Sequence, residues 1–165
     1  MIPLKPFFVS LAIVLAPTAA LADVKVSFVT PDRYSDRDFR NSASRDATLD
    51  EFRRYFARLG ERYLKPGQSV SIEVLNIDLA GDYEPWRTRF HDVRIMRDVT
   101  PPRFKLRYAL RQGGRVVLQA EESVSDMNYL MNPSARMSSE RYAYEKDMLR
   151  DWFRARFVEM RPPRG

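Results

Sequence analysis

The side chain best suited to acid–base chemistry near neutral pH is the single histidine, His91, and Asp92 follows it directly. A carboxylate beside an imidazole can fix its tautomer, an arrangement used in metal hydrolases and in Ser-His-Asp hydrolases. A metal centre of that kind needs further histidines, and the sequence has none. A triad needs a serine on a sharp strand-to-helix turn, and no serine here stands in that context. The pair therefore reads as polar loop residues. Carboxylates come next: Asp78, Asp82, Glu84, Asp98 and Asp126 fall at the ends of strand patterns. Two such acids can flank a glycosidic bond as acid and base. Nothing in their spacing singles out a pair, so no catalytic residue, metal ligand or cofactor is assigned.

Two other stretches concentrate polar groups beside rigid turns. Arg97-Asp98-Val99-Thr100-Pro101-Pro102 sets a charged pair next to two prolines, and Ser125-Asp126-Met127-Asn128-Tyr129 sets Asp and Asn where a strand ends. Short polar side chains at a strand end commonly bond their own backbone in an Asx turn. A sharper reading is a polar pocket shared by the two stretches, with Arg97, Asp98, Asp126, Asn128 and Tyr129 as candidate binding residues.

Residues 1–22 read as a cleavable signal peptide. Lys5 precedes an apolar run from Phe7 to Ala16, Pro17 breaks it, and Ala20-Leu21-Ala22 supplies the small-x-small cleavage pattern. The run is shorter than the roughly 20 residues of a spanning helix, so no transmembrane anchor is expected in the mature chain. With no cysteine in its 165 residues, the chain has neither a lipidation site nor disulfides nor thiolate chemistry. A periplasmic, non-lipidated protein is expected, with residues 23–165 forming one domain. Loss of Lys5 lowers the net charge from +6 to +5, and arginine supplies most of the positive charge. A basic exported protein suits an envelope protein or an anionic glycolipid as partner. Nucleic acid is not expected in that compartment.

Val24, Val26 and Phe28 alternate with Lys25 and Ser27, which predicts a half-buried strand. Residues 32–47 read as a long polar loop. Thr48-Leu49-Asp50-Glu51 has the form of a capping box, and Leu49, Phe52, Tyr55, Phe56, Leu59 and Tyr63 then keep helical spacing as far as Pro66-Gly67. Arg53, Arg54, Arg58 and Arg62 fall on the other side as a solvated face. Val70, Ile72 and Val74 alternate, after which Leu75, Ile77 and Leu79 continue on the opposite parity, predicting a bulge near Leu75.

Residues 82–92 form a second loop, residues 93–99 look extended but irregular, and Pro101-Pro102 interrupts them. Phe104, Leu106, Tyr108 and Leu110 alternate with Lys105, Arg107 and Arg111, and Gln112-Gly113-Gly114-Arg115 turns the chain into a partner strand over 116–124. Residues 125–138 make a third loop, and a last helix over about 139–159 places Tyr144, Met148, Leu149, Trp152 and Phe153 on its apolar side. The order β-α-β-β-β-α predicts an α+β two-layer sandwich: a mostly antiparallel sheet of about four strands covered by two helices. The first two strands, if adjacent, are parallel through a right-handed crossover. A kink at Pro101-Pro102 within one strand would bring the three loops to one end of the sheet.

Four stretches carry a resemblance. They are the run from Val70 to Gly81, ending in Val74-Leu75-Asn76-Ile77-Asp78-Leu79-Ala80-Gly81; Arg97-Asp98-Val99-Thr100 with Pro102-Arg103; Ser125-Asp126-Met127-Asn128-Tyr129-Leu130; and Tyr144-Glu145-Lys146 with Met148-Leu149 and Trp152-Phe153. Together they resemble the proteobacterial domain of unknown function 3016 family, over essentially the whole mature chain. The resemblance implies an exported protein of a Gram-negative envelope and brings no catalytic residues. The expected function is non-enzymatic binding of another envelope component; the alternative is a periplasmic hydrolase using strand-end carboxylates.

Overall fold

The computed structural model describes residues 22–84, 86 and 93–163. Residues 1–21 of the expected signal peptide and the His91-Asp92 pair lie outside the described residues. The alternation at the start forms β1 (Asp23–Phe28). The next helix, α1 (Ser42–Tyr63), begins six residues before Thr48, because the Asn41 carboxamide accepts from the Ala43 and Ser44 amides and caps it there. Thr48 is therefore not a cap. It is a buried mid-helix residue whose hydroxyl donates to the Ser44 carbonyl at 2.7 Å and meets the Tyr142 hydroxyl at 2.8 Å. Part of the expected loop before it is helical: two short 3-10 turns, at Pro31–Arg33 and Arg37–Arg40, lead into the cap.

Next come β2 (Gln68–Asp78), the two-residue strands β3 (Asp82–Tyr83) and β4 (Arg94–Ile95), then β5 (Arg103–Gln112) and β6 (Arg115–Ser125). The main sheet has the order β1-β2-β5-β6, with β1 parallel to β2 and the other pairs antiparallel. Its register slips between Val74 and Asn76, leaving Leu75 as the extra residue and returning Ile77 to the core. Pro101-Pro102 is not a kink within one strand. β4 leaves the main sheet and pairs with β3, and the prolines, which cannot continue a ladder, separate it from β5.

The chain ends in α2 (Pro133–Met137), α3 (Ala143–Phe153) and a π-helical turn over Arg154–Val158, where the Glu159 amide reaches back to the Arg154 carbonyl. The last helix is thus shorter at its start than the spacing suggests, and α2 is an added element. Among the described residues no helix is long and apolar enough to cross a membrane.

The architecture is an α+β sandwich with α1 and α3 on one face of the sheet. Phe52, Phe56 and Leu59 from α1 and Leu149, Trp152 and Phe153 from α3 meet Ile72, Val74, Phe104, Leu106 and Tyr108 in one core. Gly60 lets α1 approach the sheet, since a Cβ there would collide with the Val24 side chain. The opposite face is polar and open, crossed by Arg107, which pairs with Glu73 at 2.8 Å and Glu121 at 2.9 Å. Asp78 stands opposite Arg103 and Arg103 opposite Ser125, whereas Gln68, Gln112 and Arg115 align at the other extreme. The connections that follow β1, β2 and β6 therefore all leave from one end.

Candidate functional site

The loop end is organised around the buried turn that closes β2. The three successive amides of Leu79, Ala80 and Gly81 each go to a different segment. Leu79 N donates to Asp36 Oδ2 at 3.0 Å, Ala80 N to Glu145 Oε1 at 2.8 Å, and Gly81 N to the Thr100 carbonyl at 3.0 Å. One turn is thereby tied to the segment after β1, to the first turn of α3 and to the segment before β5. Gly81 has φ +77, and a Cβ there would lie 2.7 Å from the Ile95 carbonyl oxygen, so the position requires glycine.

Asp36 is 5% exposed and its carboxylate accepts from Leu79 N, from Asp38 N at 2.9 Å and from Arg94 Nη2 at 2.7 and 2.9 Å. The other terminal nitrogen of Arg94 donates to the Gly81 carbonyl at 2.8 Å. Tyr83 donates to Asp38 Oδ1 at 2.8 Å, and the Arg37 and Arg94 guanidiniums lie 4.6 and 4.7 Å from its ring centroid. Burial opposes the charge on Arg94, but its hydrogen bonds to Asp36 and the nearby Asp38 prevail and raise its pKa further. A cleft of about 280 Å³ opens here, lined among others by Asp36, Asp78, Tyr83, Arg94, Thr100 and Arg103.

Two carboxyls in this region sit above the ordinary range. Burial raises Glu145, which is 3% exposed, and the Asp36 charge adds to it against the Ala80 amide and Arg94. Burial also raises Asp78, with Asp36 adding to it and Arg103 opposing. Asp36 and Asp38 converge on one point, but the Arg94 guanidinium occupies the place a cation would take. Among the described residues no group of three His, Asp or Glu stands as a metal-ligand set.

The candidate binding residues lie at this same end in different roles. Tyr129 is buried, donates to the Arg97 carbonyl at 2.6 Å and packs edge-on against Tyr144 with ring centroids 5.0 Å apart. This contact joins the two stretches through a backbone carbonyl. Arg97 pairs with Glu84 at 2.8 Å. Asp126 accepts from the Asn128 amide at 2.9 Å, which is the Asx turn, while Asn128 and Asp98 are exposed. Thr100 from the first stretch lines the cleft; Asp126, Asn128 and Tyr129 do not.

The family model described as "Protein of unknown function (DUF3016)" matches residues 22–155. The chain belongs to this family. No curated protein and no solved structure matches it. The match takes in every residue of the Leu79-Ala80-Gly81 junction and its partners. Asp36, Tyr83, Arg94 and Glu145 carry that junction, and the sequence reading did not select them. Glu145 had a readable signal: it falls in helical phase with the buried Leu149 and Trp152, an acid on an apolar stripe. Asp36 and Arg94 stand in polar runs with no period and had none.

The loop end also exposes large apolar side chains. Trp86 and Met131 are 77% exposed, Val99 75% and Met127 63%. Val99 and Met131 belong to the two segments joined by the Tyr129–Arg97 hydrogen bond.

Proposed function

We propose that this DUF3016 protein is an exported, periplasmic, non-enzymatic binding protein that holds a partner protein of the cell envelope on its loop end. The observation that carries the reading is the contrast within that end: large apolar side chains stand in solvent on segments whose backbone is tied down, by Tyr129 Oη to the Arg97 carbonyl and by Gly81 N to the Thr100 carbonyl. Apolar groups held out rigidly cost little ordering entropy on binding and suit a protein surface. Methionines adapt to irregular partner surfaces. The signal sequence and the basic balance of the chain support the compartment and class of partner.

A photoreactive side chain placed at Met131 or Val99 in the producing cell tests it. A discrete protein adduct at both positions, absent at Lys25 on the open sheet face, is the expected result. Adducts to lipopolysaccharide alone would replace the protein partner with an anionic glycolipid, and no position-dependent adduct would end the reading. One observation favours a second reading, a hydrolase using strand-end carboxylates: Asp78 lines the cleft with its carboxyl held above the ordinary range. That reading requires turnover of a chromogenic ester or glycoside that Asp78→Asn abolishes without lowering the melting temperature.

A further inference from the structure

Three of the chain's seven methionines fall within residues 127–137, the segment that follows β6. Met127 precedes the 3-10 turn Tyr129–Met131, Met131 ends it, and Met137 is the last residue of α2. All three stand in solvent, Met137 furthest at 88% exposed, whereas Met148 in the core is 5% exposed. What fixes the segment lies between the methionines and not on them. Asp126 accepts from the Asn128 amide, and the buried Tyr129 donates to the Arg97 carbonyl. The Asn132 carboxamide accepts from the Ser134 amide at 3.0 Å and donates to Asp147, and Ala135 is buried. The three thioethers are therefore side chains the fold does not use.

Any apolar side chain could supply contact area here, and a thioether adds one property, a sulfur that an oxidant can reach. The chain has no cysteine, so no thiol competes for that oxidant. With a hypohalous acid such as hypochlorous acid, a sulfur lone pair forms the S–O bond, the O–Cl bond breaks, and chloride and a proton leave. The sulfur loses two electrons and the chlorine gains them. The return step, on a thiol-dependent reductase, removes the oxygen as water while two thiols become a disulfide. Oxidation turns a flexible apolar side chain into a polar one and disrupts methionine-rich contacts.

We propose that Met127, Met131 and Met137 form a reversible oxidation site that controls binding at the loop end. As thioethers they belong to its apolar surface; as sulfoxides they release the partner while the fold stays intact. This control rests on the protein-binding role of the loop end.

The test uses mature protein with a photoreactive side chain at Val99, treated with limiting hypochlorous acid and quenched. One portion is digested for peptide mass mapping and another is irradiated in envelope extract of the producing cell. Sulfoxide is expected at Met127, Met131 and Met137 about tenfold or more faster than at Met148, with an unchanged melting temperature. The protein adduct at Val99 should fall as these sulfoxides accumulate. It should return after treatment with the two methionine sulfoxide reductases, one for each epimer, and a thiol reductant. With leucine at all three positions, the ratio of adduct with and without oxidant should stay near one. Oxidation of Met148 in step with the others, or a lowered melting temperature, overturns the proposal by showing that the fold opens. An adduct that survives full oxidation of the three methionines overturns this control alone, and so does a loss that persists in the leucine variant. No adduct from untreated protein overturns the binding role itself, and the control with it.

Discussion

Among the described residues, Asp36–Arg94 and Glu122–Arg156 are arginine–carboxylate pairs turned inward, and they are used differently. At the loop end, Asp36 accepts from two backbone amides as well as from Arg94, and Arg94 also donates to a backbone carbonyl. Near the sheet edge, Glu122 accepts only from side chains: Tyr108 at 2.6 Å, Trp152 at 2.9 Å, and Arg156. The first pair fixes the path of loops. The second fixes how the helix layer sits on the sheet, since its donors come from β5, α3 and the π-helical turn. One ion-pair chemistry thus sets the shape of a surface in one place and the docking of two layers in the other.

Removing one partner of the inner pair should show the largest effect. Glu122→Ala leaves Arg156 buried without a counter-charge and deprives Tyr108 and Trp152 of their acceptor, so a loss of about 3–5 kcal/mol is expected. Denaturant unfolding measures it, and a loss under about 1 kcal/mol would remove the layer-docking role. The pair also has a pH signature. Burial raises the Glu122 pKa, but Arg156, Tyr108 and Trp152 outweigh it and hold the group below the ordinary 4.5. Its contribution is therefore present above that value and fades as pH falls through the lowered one.

Asp36→Asn should cost less, about 1–3 kcal/mol: one oxygen still accepts, while the NH2 that replaces the other faces a backbone amide and the Arg94 guanidinium and accepts from neither. Its more telling effect is local. Exchange of the Leu79 and Gly81 amides should accelerate relative to those of β2 and β5, whereas uniform acceleration would erase the contrast between the two pairs.

Glu145→Gln should have a smaller effect of opposite sign. Glu145 has a raised pKa, so its neutral form is favoured in the fold and its ionisation weakens the fold as pH rises. Glutamine keeps an acceptor for the Ala80 amide. The variant should melt higher by about 3–6 °C at pH 7–8, on the order of 1 kcal/mol, and the gain should vanish below about pH 4. A gain that persists in acid would point to packing as its source.

The smallest effect on stability belongs to the exposed loops. Met131→Ser with Val99→Ser should unfold within about 0.5 kcal/mol of the parent while weakening the adduct formed by a photoreactive side chain at the neighbouring exposed Met127. A large destabilisation would show that these side chains serve the fold.

Much of the frame is written locally in the chain. Phe104, Leu106, Tyr108 and Leu110 are buried as their alternation requires, and Lys105, Arg107 and Arg111 are exposed. The parity change after Val74 is the observed bulge, and Gln112-Gly113-Gly114-Arg115 is the observed hairpin. The crossover through α1 leaves β1 parallel to β2. Alternation, helical spacing and turn chemistry are properties of contiguous residues, so the sequence by itself determines them. Tertiary structure decided what depends on convergence. Thr48 reads locally as a helix cap but is buried against Tyr142, because Asn41 caps the helix earlier. Asp36 and Arg94 are 58 positions apart, and Glu122 and Arg156 are 34. Nothing local distinguishes Asp36 and Arg94 from the solvated charges around them; Glu122 shares the inward parity of Leu118, Ala120 and Val124, but the partner that lets it stay there is not local. A charge is kept in the interior only when its partner arrives from another segment, and that meeting exists only once the layers have packed.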